Sequence, residues 1–321
     1  MRGRRGGIFG MSGGTEREAF VEVGDVRLRA VLEGSTPSNS ESVLVLHGFT
    51  GAAESMSGVS ASLCGDRCVA RLELLGHGGS DAPDAVAPYA MAACADQIAE
   101  AARVLGLGRP HLLGYSMGGR AALAAALSHP DSFSSLVLVG ASAGIADAAL
   151  RAERIESDEA LADRIEREGM TAFVDHWMAL PIFATQSRLG TRAQMQARTQ
   201  RLRNQPHGLA GSLRGMGAGA QAPLHDRLDR FIRPVLLVVG REDSKFRRVA
   251  SSIEGGLKDA RTELIDGAGH AVHLEAPESF ARVVGRFIAA IEADREGGRP
   301  FASLPRSEWN ARVNENGGDP A

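Results

Sequence analysis

A serine at position 116 stands in Gly114-Tyr115-Ser116-Met117-Gly118, with the apolar run Pro110-His111-Leu112-Leu113 before it and the helix-forming run Ala121 to Leu127 directly behind. Such a strand, turn and helix context holds a serine hydroxyl exposed above a helix N-terminus. In a chain with 39 glycines the pentapeptide alone carries little weight. A hydroxyl is a poor nucleophile or base at neutral pH unless a second group takes its proton and a third orients that group. In a parallel sheet those partners belong in loops just past strand ends, in chain order acid then histidine. The loop after Pro234 to Gly240 reads Arg241-Glu242-Asp243-Ser244-Lys245-Phe246, and the loop after Thr262 to Ile265 reads Asp266-Gly267-Ala268-Gly269-His270-Ala271-Val272-His273. Asp243 and His270 are therefore the expected partners of Ser116. Glu242, one position nearer the strand, and His273, three residues further on, are their competitors. A surface serine and a loop histidine with only local hydrogen bonds are the alternatives for each residue taken singly, but all three in the required order argue against chance.

Charge developing on an oxygen needs backbone N–H donors aimed at it. Met117, directly after the serine, is one expected donor, and Phe49 in His47-Gly48-Phe49 is the other, with Gly48 permitting close approach of backbone to substrate. His47 is expected to be a structural hydrogen-bonding residue, and His77, in Gly76-His77-Gly78-Gly79-Ser80, is given no chemistry.

The elements that must position these groups follow from periodicity. Alternation on either side of Gly24-Asp25 predicts a β-hairpin over 18–33. Val43 to Leu46, Val69 to Leu74, the run ahead of Ser116, Ser135 to Val139, Pro234 to Gly240 and Thr262 to Ile265 read as strands, several without polar alternation, as expected of strands buried on both faces. Helical patterns lie at Met91 to Leu105, Val249 to Leu257 and Pro277 to Ala293. This alternation predicts an α/β fold with a mostly parallel central sheet. From Ala141 to Asp229 the pattern is helical and Arg/Glu-rich, so the core is expected at 17–140 and 230–295, with a helical cap at 141–229 inserted after the sixth strand. Residues 1–16 read as a disordered leader containing a second candidate start at Met11, and 296–321 as a tail without predictable fold.

Composition narrows the class. With 44% hydrophobic and 23% charged residues the chain is ordinary globular protein, and a formal net charge of -3 gives no reason to expect nucleic acid or an acidic membrane. Cys64, Cys68 and Cys94 are too few and too irregular for a disulfide framework or a four-ligand zinc site, so neither metal nor cofactor is expected. The basic Met1-Arg2-Gly3-Arg4-Arg5 lacks the apolar core of about 7–15 residues that a signal peptide needs, and no stretch approaches the ~20 apolar residues of a membrane span. A cytoplasmic protein without stable membrane association is expected; no oligomeric state is implied. Of 36 basic residues only Lys245 and Lys258 are lysines, so an Arg is not functional merely for being Arg.

Residues 40–293 resemble the α/β-hydrolases, and more narrowly the family of 2-succinyl-6-hydroxy-2,4-cyclohexadiene-1-carboxylate synthases. The resemblance is carried by Leu46-His47-Gly48-Phe49-Thr50-Gly51, Gly114-Tyr115-Ser116-Met117-Gly118-Gly119-Arg120, Trp177 with Pro181-Ile182-Phe183, Arg203-Asn204 and Gly240-Arg241-Glu242-Asp243-Ser244-Lys245-Phe246. It implies pyruvate elimination from a small substrate with several carboxylates, the serine oxygen acting as a general base. It further implies substrate contacts from Tyr115, Arg120, Arg151, Trp177, Arg203 and Lys245. Arg120, four residues after Ser116, lies on the same helical face; Arg154 and Arg214 are further cap cations. Glu73 stands where the family pattern suggests Asp, Ala143 where a Pro is common, and Ala146-Asp147 lacks a Gln found in some members. A hydrolase of a small ester or carbon–carbon bond and a non-catalytic binding protein of the same fold are the rival readings.

Overall fold

The computed structural model describes residues 8–11, 16–36 and 41–293. Its core is a nine-stranded sheet: β1 (Ile8–Met11), β2 (Arg17–Val23), β3 (Val26–Gly34), β4 (Ser42–Leu46), β5 (Cys68–Leu72), β6 (His111–Tyr115), β7 (Ser135–Val139), β8 (Val235–Gly240) and β9 (Ala260–Ile265). The order across the sheet is β1-β2-β3-β5-β4-β6-β7-β8-β9. Pairings are antiparallel from β1 to β5 and parallel from β5 to β9. The predicted hairpin forms about Gly24, whose φ of 59° suits the tight turn. Ile8–Met11, expected to lie in a disordered leader, instead form β1 against β2. A four-residue run is too short to register as a period, and the open edge of β2 supplies its hydrogen-bond partners. Residues 1–7 and 12–15, and the tail expected at 296–321, lie outside the described residues. With β1 counted, the cap segment follows the seventh strand.

Uninterrupted apolar strands are buried on both faces, as parallel pairing requires. Leu44, Leu46, Leu112, Leu136, Leu138, Leu237 and Val239 face one core, while Val43, Val45, Leu113, Val137, Val139, Leu236 and Val238 face the other. Helices α2 (Met91–Val104) and α3 (Met117–Ser128) pack on the first side, and α1 (Ser57–Leu63) and α9 (Pro277–Ala293) on the second. Between β7 and β8 the chain forms α4 (Ala148–Met178), broken at Gly169 with φ 76°, then α5 (Gly190–Arg201) and α6 (Pro206–Met216). Asp147 caps α4 by accepting from the Ala149 and Leu150 N–H groups. These helices share their own apolar cluster of Ala162, Ile165, Phe173, Val174, Leu209, Ala210 and Leu213, against which Phe49 and Trp177 pack.

Two boundaries differ from the periodicity. Helix α7 (Ser244–Gly256) begins five residues before Val249 because Asp243 caps it, its Oδ1 accepting from the Phe246 N–H at 3.0 Å. The short α8 (Val272–Glu275) follows the histidine loop directly.

Candidate active site

The turn from β6 into α3 is built by its glycines. A Cβ at Gly114 would lie 2.2 Å from Gly118 O, and one at Gly118 would lie 2.4 Å from His47 O, so only glycine lets the turn close this tightly against the β4 loop. Ser116 has φ 52°, a left-handed value that L-residues rarely adopt. A residue so strained persists only where its surroundings over-determine it, a condition common at functional sites.

His270 Nε2 lies 3.0 Å from Ser116 Oγ, and His270 Nδ1 lies 2.8 Å from Asp243 Oδ2. The strand ends thus bring the three expected residues into one hydrogen-bonded line. Gly140, at the end of β7 with φ 55°, makes room for it, since a Cβ there would lie 2.9 Å from His270 Cε1. Glu275, which sequence reasoning passed over, braces the histidine loop by accepting from the Gly269 and Ala271 N–H groups at 2.8 and 3.0 Å. Its signal was a Glu at the end of the short helix just beyond the loop. Burial pushes the Asp243 carboxyl up, but bonds from His270 and the Phe246 N–H, with the charges of His270 and Lys245, outweigh it and hold the carboxyl below its ordinary value.

The competitors go elsewhere. Glu242 turns outward to a two-pronged ion pair with Arg188, both bonds 2.7 Å. His273 lies buried under the Tyr115 ring, centroids 4.5 Å apart, where burial pushes it down to about 3. His47 Nε2 accepts from the Leu74 N–H at 3.0 Å while Nδ1 donates to Gly48 O, and burial lowers it to about 4. His77, likewise lowered to about 3, packs between His47 and Phe49. At neutral pH these three rings are uncharged scaffolding. Glu73 is wholly buried and accepts from Arg29 Nη1, the Ala53 N–H and the Gly79 N–H, which joins the loops after β4 and β5. Glu242→Gln is expected to leave kcat within about threefold of wild type, because the Arg188 pair is exposed and such pairs contribute little. A large kcat loss in that variant would transfer the orienting role from Asp243 to Glu242.

Ser116 and His270 open on a cavity of about 270 Å³, lined also by Phe49, Tyr115, Met117, Trp177, Ile182, Phe183 and Phe246. Among the described residues neither the Phe49 nor the Met117 N–H donates to another protein group. Among the described residues four cations line the cavity, Arg120, Arg154, Arg201 and Lys245, and no carboxylate does. Arg154 is paired with Asp158 at 2.7 Å. Arg120 bonds only neutral acceptors, its Nη1 donating to Met216 O at 2.9 Å and Gln221 Oε1 at 2.8 Å. Burial, then the Arg154 charge, lowers it to about 10 against the pull of Asp158, so it remains a cation at neutral pH. Arg201 donates from Nε to Thr50 Oγ1 at 3.2 Å, and burial lowers it despite the Tyr115 hydroxyl nearby. Burial also pushes the Tyr115 hydroxyl upward.

Two expected substrate contacts do not reach this cavity. Arg151 donates to Ile145 O at 3.1 Å at the start of α4, and Arg203 is exposed on an adjoining open groove of about 1440 Å³, which shares Phe183 and Arg201 with the cavity but is lined by neither Ser116 nor His270. Arg154 and Arg201 stand in the cavity in their place. The sequence carried no phase for Arg201, because α5 buries no residue and so has no apolar stripe.

The sheet order, the serine turn and the hydrogen-bonded line define a class: the chain belongs to the alpha/beta hydrolase fold family, which matches residues 41–277. Within that class it belongs to the 2-succinyl-6-hydroxy-2,4-cyclohexadiene-1-carboxylate synthases. It is 39% identical over 266 residues, 83% of this chain and 96% of the relative, to a protein of Bacillus subtilis (strain 168) provisionally so named. It is 30% identical over 244 residues, 76% of this chain and 91% of the relative, to the synthase of Serratia proteamaculans (strain 568). The solved structure of MenH from S. aureus superposes with a TM-score of 0.78 at 28% identity, covering 82% of this chain and 98% of that one.

Proposed function

We propose that Ser116, His270 and Asp243 act as a proton relay in a lyase that eliminates pyruvate from 2-succinyl-5-enolpyruvyl-6-hydroxy-3-cyclohexene-1-carboxylate, leaving 2-succinyl-6-hydroxy-2,4-cyclohexadiene-1-carboxylate. The observation that carries the reading is the cation-lined cavity over Ser116. Three of its four cations, Arg120, Arg201 and Lys245, have no carboxylate partner among the described residues. Half-buried arginines such as Arg120 and Arg201 are normally paired, and Lys245, which is exposed, adds a further cation, so such a cavity suits a small substrate with several carboxylates. Neutral ester hydrolysis has no use for it.

In this reaction the Ser116 oxygen takes the acidic ring proton as His270 Nε2 takes the seryl proton, and Asp243 holds the ring in the tautomer with Nδ1–H. The C–H electron pair spreads into the adjacent carbonyl, whose oxygen receives the Phe49 and Met117 N–H groups. Collapse of that charge forms a ring double bond at C2, shifts the existing one from C3 to C4 and breaks the C–O bond to the enolpyruvyl group at C5. The proton held on the relay returns to the leaving enolate, which becomes pyruvate. No acyl-enzyme forms. Tyr115, Trp177, Phe183 and Phe246 wall the site, while Arg120, Arg201 and Lys245 orient the carboxylates. Asp243→Asn should damage the relay by favouring the wrong imidazole tautomer.

No helix among the described residues is long and apolar enough to cross a membrane; the reading places the enzyme in the cytoplasm, acting on a small anionic substrate. Pyruvate release, followed by NADH consumption in a lactate dehydrogenase couple, tests it. Rapid turnover of p-nitrophenyl esters with no pyruvate would overturn it in favour of a hydrolase. Arg201→Ala is expected to raise KM about 10–100-fold, the range for a lost hydrogen bond to a charged group. Arg203→Ala should change KM less than about threefold, as an exposed site does. Equal effects from the two variants would show that the cavity is not where the carboxylates sit.

A further inference from the structure

We propose that Asn204 is a positioning residue for the oxyanion loop, holding the Phe49 N–H in place through Thr50. The inference rests on the reading of Phe49 as an oxyanion donor. Thr50 adjoins Phe49, is 1% exposed, and has φ 68°. Among the described residues only Ser116 shares a positive φ without being glycine. A β-branched residue in that region needs external support.

Apart from the Gly51 N–H bond to Gly48 O at 2.9 Å, which closes the turn, the support comes from one short cap segment. Thr50 O accepts from Asn204 Nδ2 at 2.9 Å and from Gln200 Nε2 at 3.2 Å, and Thr50 Oγ1 accepts from Arg201 Nε. Asn204 is itself 4% exposed and fully engaged. Its Oδ1 accepts from the Gly78 N–H at 2.9 Å, and Nδ2 also donates to Arg201 O at 3.1 Å. Gly78 follows His77, whose ring meets the Phe49 ring edge-on at 5.7 Å. One amide therefore ties the carbonyl that follows Phe49 to the loop whose His77 packs against the Phe49 ring. Arg201, which the amide also holds, lines the cavity.

The test compares Asn204→Ala and Asn204→Asp with wild type. Aspartate retains the acceptor for Gly78 but sets an oxygen against Thr50 O. Both variants should lose kcat by about 10–100-fold, the scale of a misplaced or missing oxyanion donor, with KM moving less than about threefold. The pH profile of kcat should keep its shape, because the relay is untouched. Gln200→Ala, which removes the longer bond to the same carbonyl from a half-buried side chain, should give a smaller loss in the same direction and serves if the Asn204 variants do not fold. Labelling of Ser116 by a fluorophosphonate, whose phosphoryl oxygen uses the same N–H donors, should slow with kcat. Folded variants with unchanged kcat and labelling, or a loss confined to KM, would overturn the proposal. If wild type releases no pyruvate, the reading of the reaction fails, and the labelling rates still decide the role of Asn204.

Discussion

Ser116→Ala is expected to lower kcat for pyruvate release by on the order of 10³-fold or more, with KM little changed, because the variant removes the atom that takes the proton and leaves the cations in place. His270→Ala should cost about the same. The double variant should cost little beyond either single one, since residues acting as one relay are not additive. Single-turnover and steady-state kinetics on the three proteins check this. Multiplicative losses would mean that Ser116 and His270 act independently, and unchanged turnover in Ser116→Ala would move the chemistry to another group. Stability offers a second signature. Alanine retains the strain of φ 52° at position 116 whereas glycine does not, so Ser116→Gly should be more stable than Ser116→Ala by about 1 kcal/mol. Denaturant midpoints of the two inactive proteins measure that difference. It would show that the strain belongs to the turn and is tolerated for the placement of the hydroxyl.

Arg120→Ala carries the second large effect. Arg120 is a cation facing the cavity, and among the described residues its hydrogen bonds all go to neutral oxygens. Pairing it with a substrate carboxylate out of water, then truncating it, should lower kcat/KM by about 2–5 kcal/mol, or roughly 30-fold to several thousand-fold. The same truncation strips Met216 O and Gln221 Oε1 of a donor, so some stability is lost as well. The two consequences separate by measurement. A fall in Tm with kcat/KM within about 0.5 kcal/mol of wild type would make Arg120 a brace for the end of α6 and nothing more. Arg120→Lys keeps a charge but loses the planar fork, so it should recover only part of the lost kcat/KM.

The hydrogen-bonded line of Ser116, His270 and Asp243 was legible because each member is announced by local turn chemistry. Gly114 and Gly118 are demanded because a Cβ at either would overlap neighbouring backbone, and Asp243 and His270 each follow a short strand, β8 apolar throughout and β9 ending in Leu264-Ile265. Choosing Asp243 over Glu242 was also within reach, since neighbouring side chains at a strand end diverge. The structure adds that Glu242 is spent on Arg188. The strand at Ile8–Met11 was not legible, because its pairing with β2 is a property of the sheet edge and not of four residues.

By itself the sequence determined the α/β alternation, the serine turn, the acid and histidine loops and the candidate oxyanion amides, all of them features set within a few residues along the chain. Which cap cations face the site was decided only by tertiary structure. Arg201 is the last residue of α5 and lines the cavity, whereas Arg203 lies in the turn beyond it and is exposed. Arg151 and Arg154 sit nearly a full turn apart on α4, and only Arg154 reaches the cavity. Arginine is so frequent in this chain that residue type cannot choose between them, and α5, which has no buried stripe, carries no phase in its sequence for Arg201. Packing of the cap helices against Phe49 and Thr50 sets that phase.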